Sequence, residues 1–120
     1  MLDSNWWRGL FESIDTKDTT RFVAYLTEDA EFRYGSGPPV AGRAAIGDAV
    51  DNFFSSIEKS EHTPGRRIES GDTAICEGWV RYTRRDGRVI DLPFCNIFTL
   101  DGDRIAKYHI YIDPAPLAAP

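Results

Sequence analysis

Residues 73–113 constrain this chain more than any other stretch. They read as three long strand-forming runs, TAICEGWVRYT, RVIDLPFCNIFTL and RIAKYHIYID, joined by turns at Asp86-Gly87 and around Gly102. No other segment is long or apolar enough to make a sheet, so the rest of the chain must cover this one.

The preceding sequence supplies that cover. Over residues 4–14, Trp6, Leu10 and Ile14 fall four apart with Trp7 and Phe11 beside them, an apolar stripe at helical period. The turn-forming run DTKD stops it, and a second helix over 18–26 turns Phe22, Val23 and Leu26 inward. AEFRY at 30–34 alternates as a short strand, with Phe32 and Tyr34 on one face. The loop GSGPPVAGR is too rich in Gly and Pro for regular structure. A third helix over 44–59 buries Ile46, Ala49, Val50, Phe53, Phe54 and Ile57, and a strand over 61–69 carries Pro64 and Gly65, which suit a bulge or an edge. The tail APLAAP is expected to fray. Helices followed by a run of antiparallel strands give an α+β fold with the helices on one face.

At 120 residues the chain is expected to be one domain, 1–120, large enough to bury a core without staples. A net charge of -5 excludes the basic stripe that nucleic-acid binding needs. Arg84, Arg85 and Arg88 cluster at a hairpin turn and read as a solvated loop tip. The 2 Cys, Cys76 and Cys95, make no disulfide framework, and the 2 His give no zinc spacing. Charges run through the first thirty residues, which argues against a signal peptide or a membrane span and sets the expected compartment as the cytoplasm.

The Asp86-Gly87 pair is a two-residue hairpin signal. Counting outward from it sets Arg85 against Arg88, Arg81 against Leu92, Trp79 against Phe94 and Glu77 against Asn96. One face then carries Glu77, Trp79, Arg81, Leu92, Phe94 and Asn96; the other carries Cys76, Gly78, Val80, Tyr82, Asp91, Pro93, Cys95 and Ile97. Both faces are largely apolar, so helices are expected to cover one and a second subunit the other. Cys76 and Cys95 sit on a diagonal roughly 7 Å apart, which suits free thiols. A bulge at Pro93 would shift every later residue to the opposite face.

The element order, YLTEDAEFRYGSGPPVAGRAAI, the GDTAICEG strand and the ending DGDRIAKYHIYIDPAPL together resemble the SnoaL-like group of the nuclear transport factor 2-like superfamily over nearly the whole chain. The resemblance implies a cone: a curved antiparallel sheet wrapped around N-terminal helices, enclosing an apolar pocket, and dimerising through its outer face. Relatives include polyketide cyclases, ketosteroid isomerases, limonene epoxide hydrolases and dehydratases, so the fold alone does not select a reaction. The isomerase general base falls at Tyr34 and its oxyanion pair at Leu10 and Asn96, where only Asn96 still donates. The epoxide hydrolase relay falls at Glu77, Trp79 and Ile110 and is absent. The comparison also turns Tyr108, Ile110 and Ile112 inward and His109 outward; a two-residue turn at LDGDRI would reverse that.

Four residues are candidates for chemistry. Glu77 is either a desolvated general base or half of a buried ion pair with Arg81. Asn96 either orients a ligand carbonyl or bonds to Glu77. Tyr34 is an oxygen-binding phenol or an ordinary amphipathic rim, and His62 an acid/base group in a context that favours the surface. Phe32, Phe53, Phe54, Trp79, Arg81, Leu92, Phe94, Tyr108 and Ile110 are the expected ligand-contacting wall. This set calls for a small apolar ligand, no metal and no cofactor, in a homodimer. The rival reading is a non-catalytic module whose cone is a carrier site or is filled by Trp79, Phe94 and Tyr108.

Overall fold

A computed structural model describes residues 2–120. Helices α1 (Ser4–Asp15) and α2 (Thr19–Val23) precede strands β1 (Leu26–Tyr34) and β2 (Val40–Ala41). Helix α3 (Arg43–Ser56) then leads into β3 (Ile57–Ser70), β4 (Thr73–Arg84), β5 (Val89–Asp101) and β6 (Arg104–Tyr111), and a short α4 (Ala115–Ala118) closes the chain. The expected α+β architecture is present. One sheet of order β2-β1-β6-β5-β4-β3 is antiparallel throughout except where β1 runs parallel to β6. No helix among the described residues is long and apolar enough to cross a membrane.

The sheet curls strongly. β1 and β4 are separated by two strands, which in a flat sheet would hold them about 14 Å apart. Instead the hydroxyls of Tyr34 on β1 and Tyr82 on β4 meet at 3.2 Å. Helix α1 lies inside the curl, where Trp7 stacks on Phe98 and Phe98 packs against Tyr108 with ring centroids 4.4 Å apart. Asp3 caps α1 by accepting from the Trp6 N–H, and the indole N–H of Trp6 donates to the Asp103 carbonyl.

Several boundaries differ from expectation. α3 stops at Ser56, and Ile57 is buried as the first residue of a strand. β3 is an edge strand, and its ladder shifts between Pro64 and Arg67, as the Pro-Gly pair suggested. The tail does not fray: Arg84 Nη1 donates to the carbonyls of Leu117 and Ala119, and Arg88 Nη1 to that of Pro120. Arg85 bonds to Ser55 O and Glu58. The arginine cluster is therefore a clamp on neighbouring segments rather than a solvated tip.

The hairpin register is the main correction. Thr83 pairs with Val89, the Arg84 N–H donates to the Arg88 carbonyl and the Gly87 N–H to the Arg84 carbonyl, so the loop is Arg85-Asp86-Gly87. This is a turn closed by Gly87 at φ 88°, the left-handed position of a bulged three-residue hairpin. The extra residue moves β4 by one against β5, so Glu77 faces Cys95, Trp79 faces Pro93 and Arg81 faces Asp91. The β4–β5 ladder runs past Pro93 without a shift. Counting from the Arg84–Arg88 bond, Pro93 falls at a non-hydrogen-bonded pair, and pairing with β6 begins only at Cys95, so no ladder bond is asked of its nitrogen. At the next hairpin a two-residue turn, Gly102-Asp103, does occur, but a bulge between Thr99 and Leu100 compensates. Tyr108 stays inward opposite Phe98, and His109 lies opposite Ile97 on the outer face.

The inner face thus consists of Ala74, Cys76, Val80 and Tyr82 from β4 and Leu92, Phe94, Asn96 and Phe98 from β5, all buried. Val80 is 1% exposed. Val80→Ala is expected to cost about 2 kcal/mol, the transfer free energy of the lost carbons plus part of a cavity. The shift in urea midpoint measures it, and a change below about 0.5 kcal/mol would mean that Val80 is not a core residue.

Candidate functional site

Between the curled sheet and α3 lies a cavity of about 370 Å³, at the lower end of the size range of small-molecule sites. Its wall is almost entirely apolar and aromatic. Of the residues singled out from sequence, Phe32, Tyr34, Phe53, Phe54, His62, Phe94, Asn96, Tyr108 and Ile110 line it. Leu92 is buried on the same face but is not part of the wall.

Three expected wall residues lie on the outside instead, for the reason of register given above. Glu77 forms an ion pair with Arg66 on the neighbouring strand, and that bond holds its carboxyl below the usual range. A stably ionised carboxylate facing solvent is neither the desolvated base nor the partner of Arg81 that the sequence suggested. Arg81 pairs with Asp91 through two bonds of 2.8 and 3.1 Å. Trp79 is 56% exposed. Cys76 and Cys95 point to opposite faces and are free thiols; burial raises the Cys76 thiol to about 11.

His62 is placed inward. Its Nδ1 is 2.6 Å from Asp15 Oδ1, and its side chain is only 10% exposed. Asp15 is held in turn: its Oδ1 accepts from Ser60 Oγ at 2.8 Å and its Oδ2 from the His62 backbone N–H at 2.9 Å. A carboxylate only accepts, so the Nδ1 of His62 carries a proton, and in the neutral ring Nε2 is the acceptor. The ring packs between Phe11 and Phe94, at centroid distances of 5.2 and 5.5 Å.

Tyr34 and Tyr82 share their hydroxyl bond at one end of the cavity, and Phe53 of α3 packs against both rings. Burial raises the pKa of each phenol, as it does that of Tyr108, so all three are neutral hydrogen-bonding groups near pH 7. Asn96 is 2% exposed, and its Oδ1 has no hydrogen-bond partner. Among the described residues no cluster of His, Cys, Asp and Glu is arranged to hold a metal ion.

Asp15 and Tyr82 were not singled out from the sequence. Tyr82 was assigned to the opposite face by the two-residue turn. Asp15 did leave a signal, because it is the last residue of α1, where the helix dipole disfavours an anion unless a partner compensates.

The fold has counterparts among solved structures. An NTF2-like protein of unknown function from Burkholderia pseudomallei K96243 superposes with a TM-score of 0.85 at 20% identity, covering 94% of this chain and 92% of the other. TerC, co-crystallised with polyporic acid, gives 0.83 at 16% identity, covering 95% and 93%. A hypothetical protein of ketosteroid isomerase-like fold from Catenulispora acidiphila DSM 44928, in complex with trimethylamine, gives 0.83 at 13% identity, covering 92% and 86%. No curated protein matches the chain in sequence. The model of the SnoaL-like domain matches residues 7–108, from within α1 to within β6, and the chain therefore belongs to the SnoaL-like domain family.

Proposed function

We propose that this protein binds a small, largely apolar molecule in the cavity and acts on it by cofactor-independent acid/base chemistry, with His62 as the proton-transferring group. The observation that carries this reading is the His62–Asp15 bond set in the wall of an otherwise apolar cavity. Asp15 fixes the ring orientation and tautomer and stabilises the imidazolium that forms when Nε2 takes a proton. Apolar walls make each polar contact count for more than it would in water. Tyr34 and Tyr82, both neutral, supply hydroxyls for a substrate oxygen in the cavity.

Isomerisation, cyclisation, dehydration and hydrolysis all suit one histidine that takes a proton from one atom and returns it to another. SnoaL-like membership supports this group of reactions, and TerC with polyporic acid supports a small-molecule occupant for the fold. The filled-cone form of the non-catalytic reading is disfavoured, because Trp79 lies outside and the aromatic wall leaves about 370 Å³ unfilled.

Native mass spectrometry of the protein exposed to a metabolite extract identifies the occupant. With that molecule as substrate, His62→Gln is expected to lower kcat by about 10²- to 10⁴-fold while binding is retained. Turnover that survives the substitution would remove His62 as the acid/base group. Binding without turnover in the unsubstituted protein would leave a carrier.

The outer face of the sheet supports a homodimer. Ile68, Trp79, Val89 and Tyr111 are each more than half exposed there, and Pro93, Cys95 and Ile97 continue the same surface. A second copy of this face is an apolar cover of matching character. Sedimentation at micromolar concentration is expected to show a dimer that Trp79→Glu splits into folded monomers. A monomeric unsubstituted protein would refute the interface.

A further inference from the structure

The way helix α1 ends decides where Asp15 points. The N–H of Asp18 donates to the Ser13 carbonyl and that of Lys17 to the Ile14 carbonyl, the paired bonds of a helix stop built around one residue in the left-handed backbone region. Glycine is the usual occupant of that position, because a side chain there crowds the backbone. Here the position belongs to Lys17, at φ 56°, and among the described residues it is the one residue other than glycine with a positive φ. A strained residue kept where glycine would serve is explained by what its side chain does.

The Lys17 ammonium donates to the Ile57 carbonyl at 2.7 Å. Ile57 is the first residue of β3, at a point where the β3–β4 ladder shifts. Farther along the same strand Ser60 and His62, two residues apart, both bond to Oδ1 of Asp15, at 2.8 and 2.6 Å, and the His62 backbone N–H donates to Oδ2. The end of α1 is thus tied to β3 twice, by Lys17 at the start of the strand and by Asp15 beyond it. The second tie works against the helix dipole, which disfavours an anion at this end, and the last turn of α1 holds no basic residue of its own. Lys17, just past the helix, brings a cation there and fixes the spacing between α1 and β3.

We propose that Lys17 is a positioning residue for the His62–Asp15 pair. Its left-handed backbone turns the chain directly after Asp15, and its ammonium holds the end of α1 against β3, so that the Asp15 carboxylate keeps the proton of the neutral ring on Nδ1. This rests on the reading of His62 as the proton-transferring group, whose Nε2 can take a proton only in that tautomer. Lys17 is not part of the cavity wall and acts through Asp15.

Nitrogen-15 NMR of the ligand-free protein at about pH 9, where imidazole is neutral, reads the ratio of the two His62 tautomers, with His62→Gln assigning the signals. The Nδ1–H form is expected to predominate in the unsubstituted protein. Two variants remove the ammonium in different ways: Lys17→Met keeps the length of the side chain, and Lys17→Gly relieves the backbone. Both are expected to move the ratio about tenfold toward the Nε2–H form, the size of one lost hydrogen bond, with Tm within a few degrees of the unsubstituted protein. Lys17→Arg restores a cationic donor and is expected to restore the ratio. A ratio unmoved in either Lys17→Met or Lys17→Gly overturns the assignment and leaves Lys17 as a helix stop. A shift that Lys17→Arg fails to reverse, or that comes only with a large fall in Tm, also overturns it, because general loosening of the fold would account for the change. A predominant Nε2–H form in the unsubstituted protein would show that His62 and Asp15 are not bonded, which defeats the proton-transfer reading and this inference together.

Discussion

Gly87 sits in a backbone conformation that side chains rarely adopt, and its φ of 88° closes a three-residue turn between the central strands β4 and β5. Because strand side chains alternate with period two, that one extra loop residue determines which half of β4 is buried. With it, Val80 and Tyr82 face α3 and Glu77, Trp79 and Arg81 face outward. The cavity wall, the ion pairs of the outer face and the apolar surface available to a second subunit all follow from this parity.

The curl of the sheet then brings distant strands together. Tyr34 and Tyr82 meet although two strands lie between theirs, and Asp15 at the end of α1 reaches His62 on the opposite edge strand. Both contacts join groups far apart in sequence across an apolar interior, where an unpaired carboxylate or phenol would be costly. Within the wall, His62 is paired with Asp15 and Tyr34 with Tyr82, whereas no partner engages the buried Oδ1 of Asn96.

How much of the site was legible depended on how local each signal was. Phe32 and Tyr34 alternate in a short strand, and Phe53 and Phe54 fall on a helical stripe, so their inward placement could be read without knowing any partner. Leu92, Phe94 and Asn96 face inward under either turn length, because only β4 changed its position against them. His62 was ambiguous because its context, EHTPG, is polar and irregular; Asp15 supplies its burial from 47 residues away. The ending is held in the same non-local way, since its anchors, Arg84 and Arg88, belong to a turn about 30 residues earlier.

The sequence by itself determined the class of fold, the order of nearly every element and the list of residues able to line a cone, because hydrophobic periodicity and turn chemistry are local properties of the chain. It also carried the resemblance that the family model bears out over residues 7–108. Only the tertiary structure decided which carboxylate is bonded to a residue of the cavity wall. Glu77 and Asp15 both carry a carboxylate, and what separates their placement is a one-residue parity in a hairpin and the reach of a helix end across a curled sheet. Neither is encoded near the residue it governs.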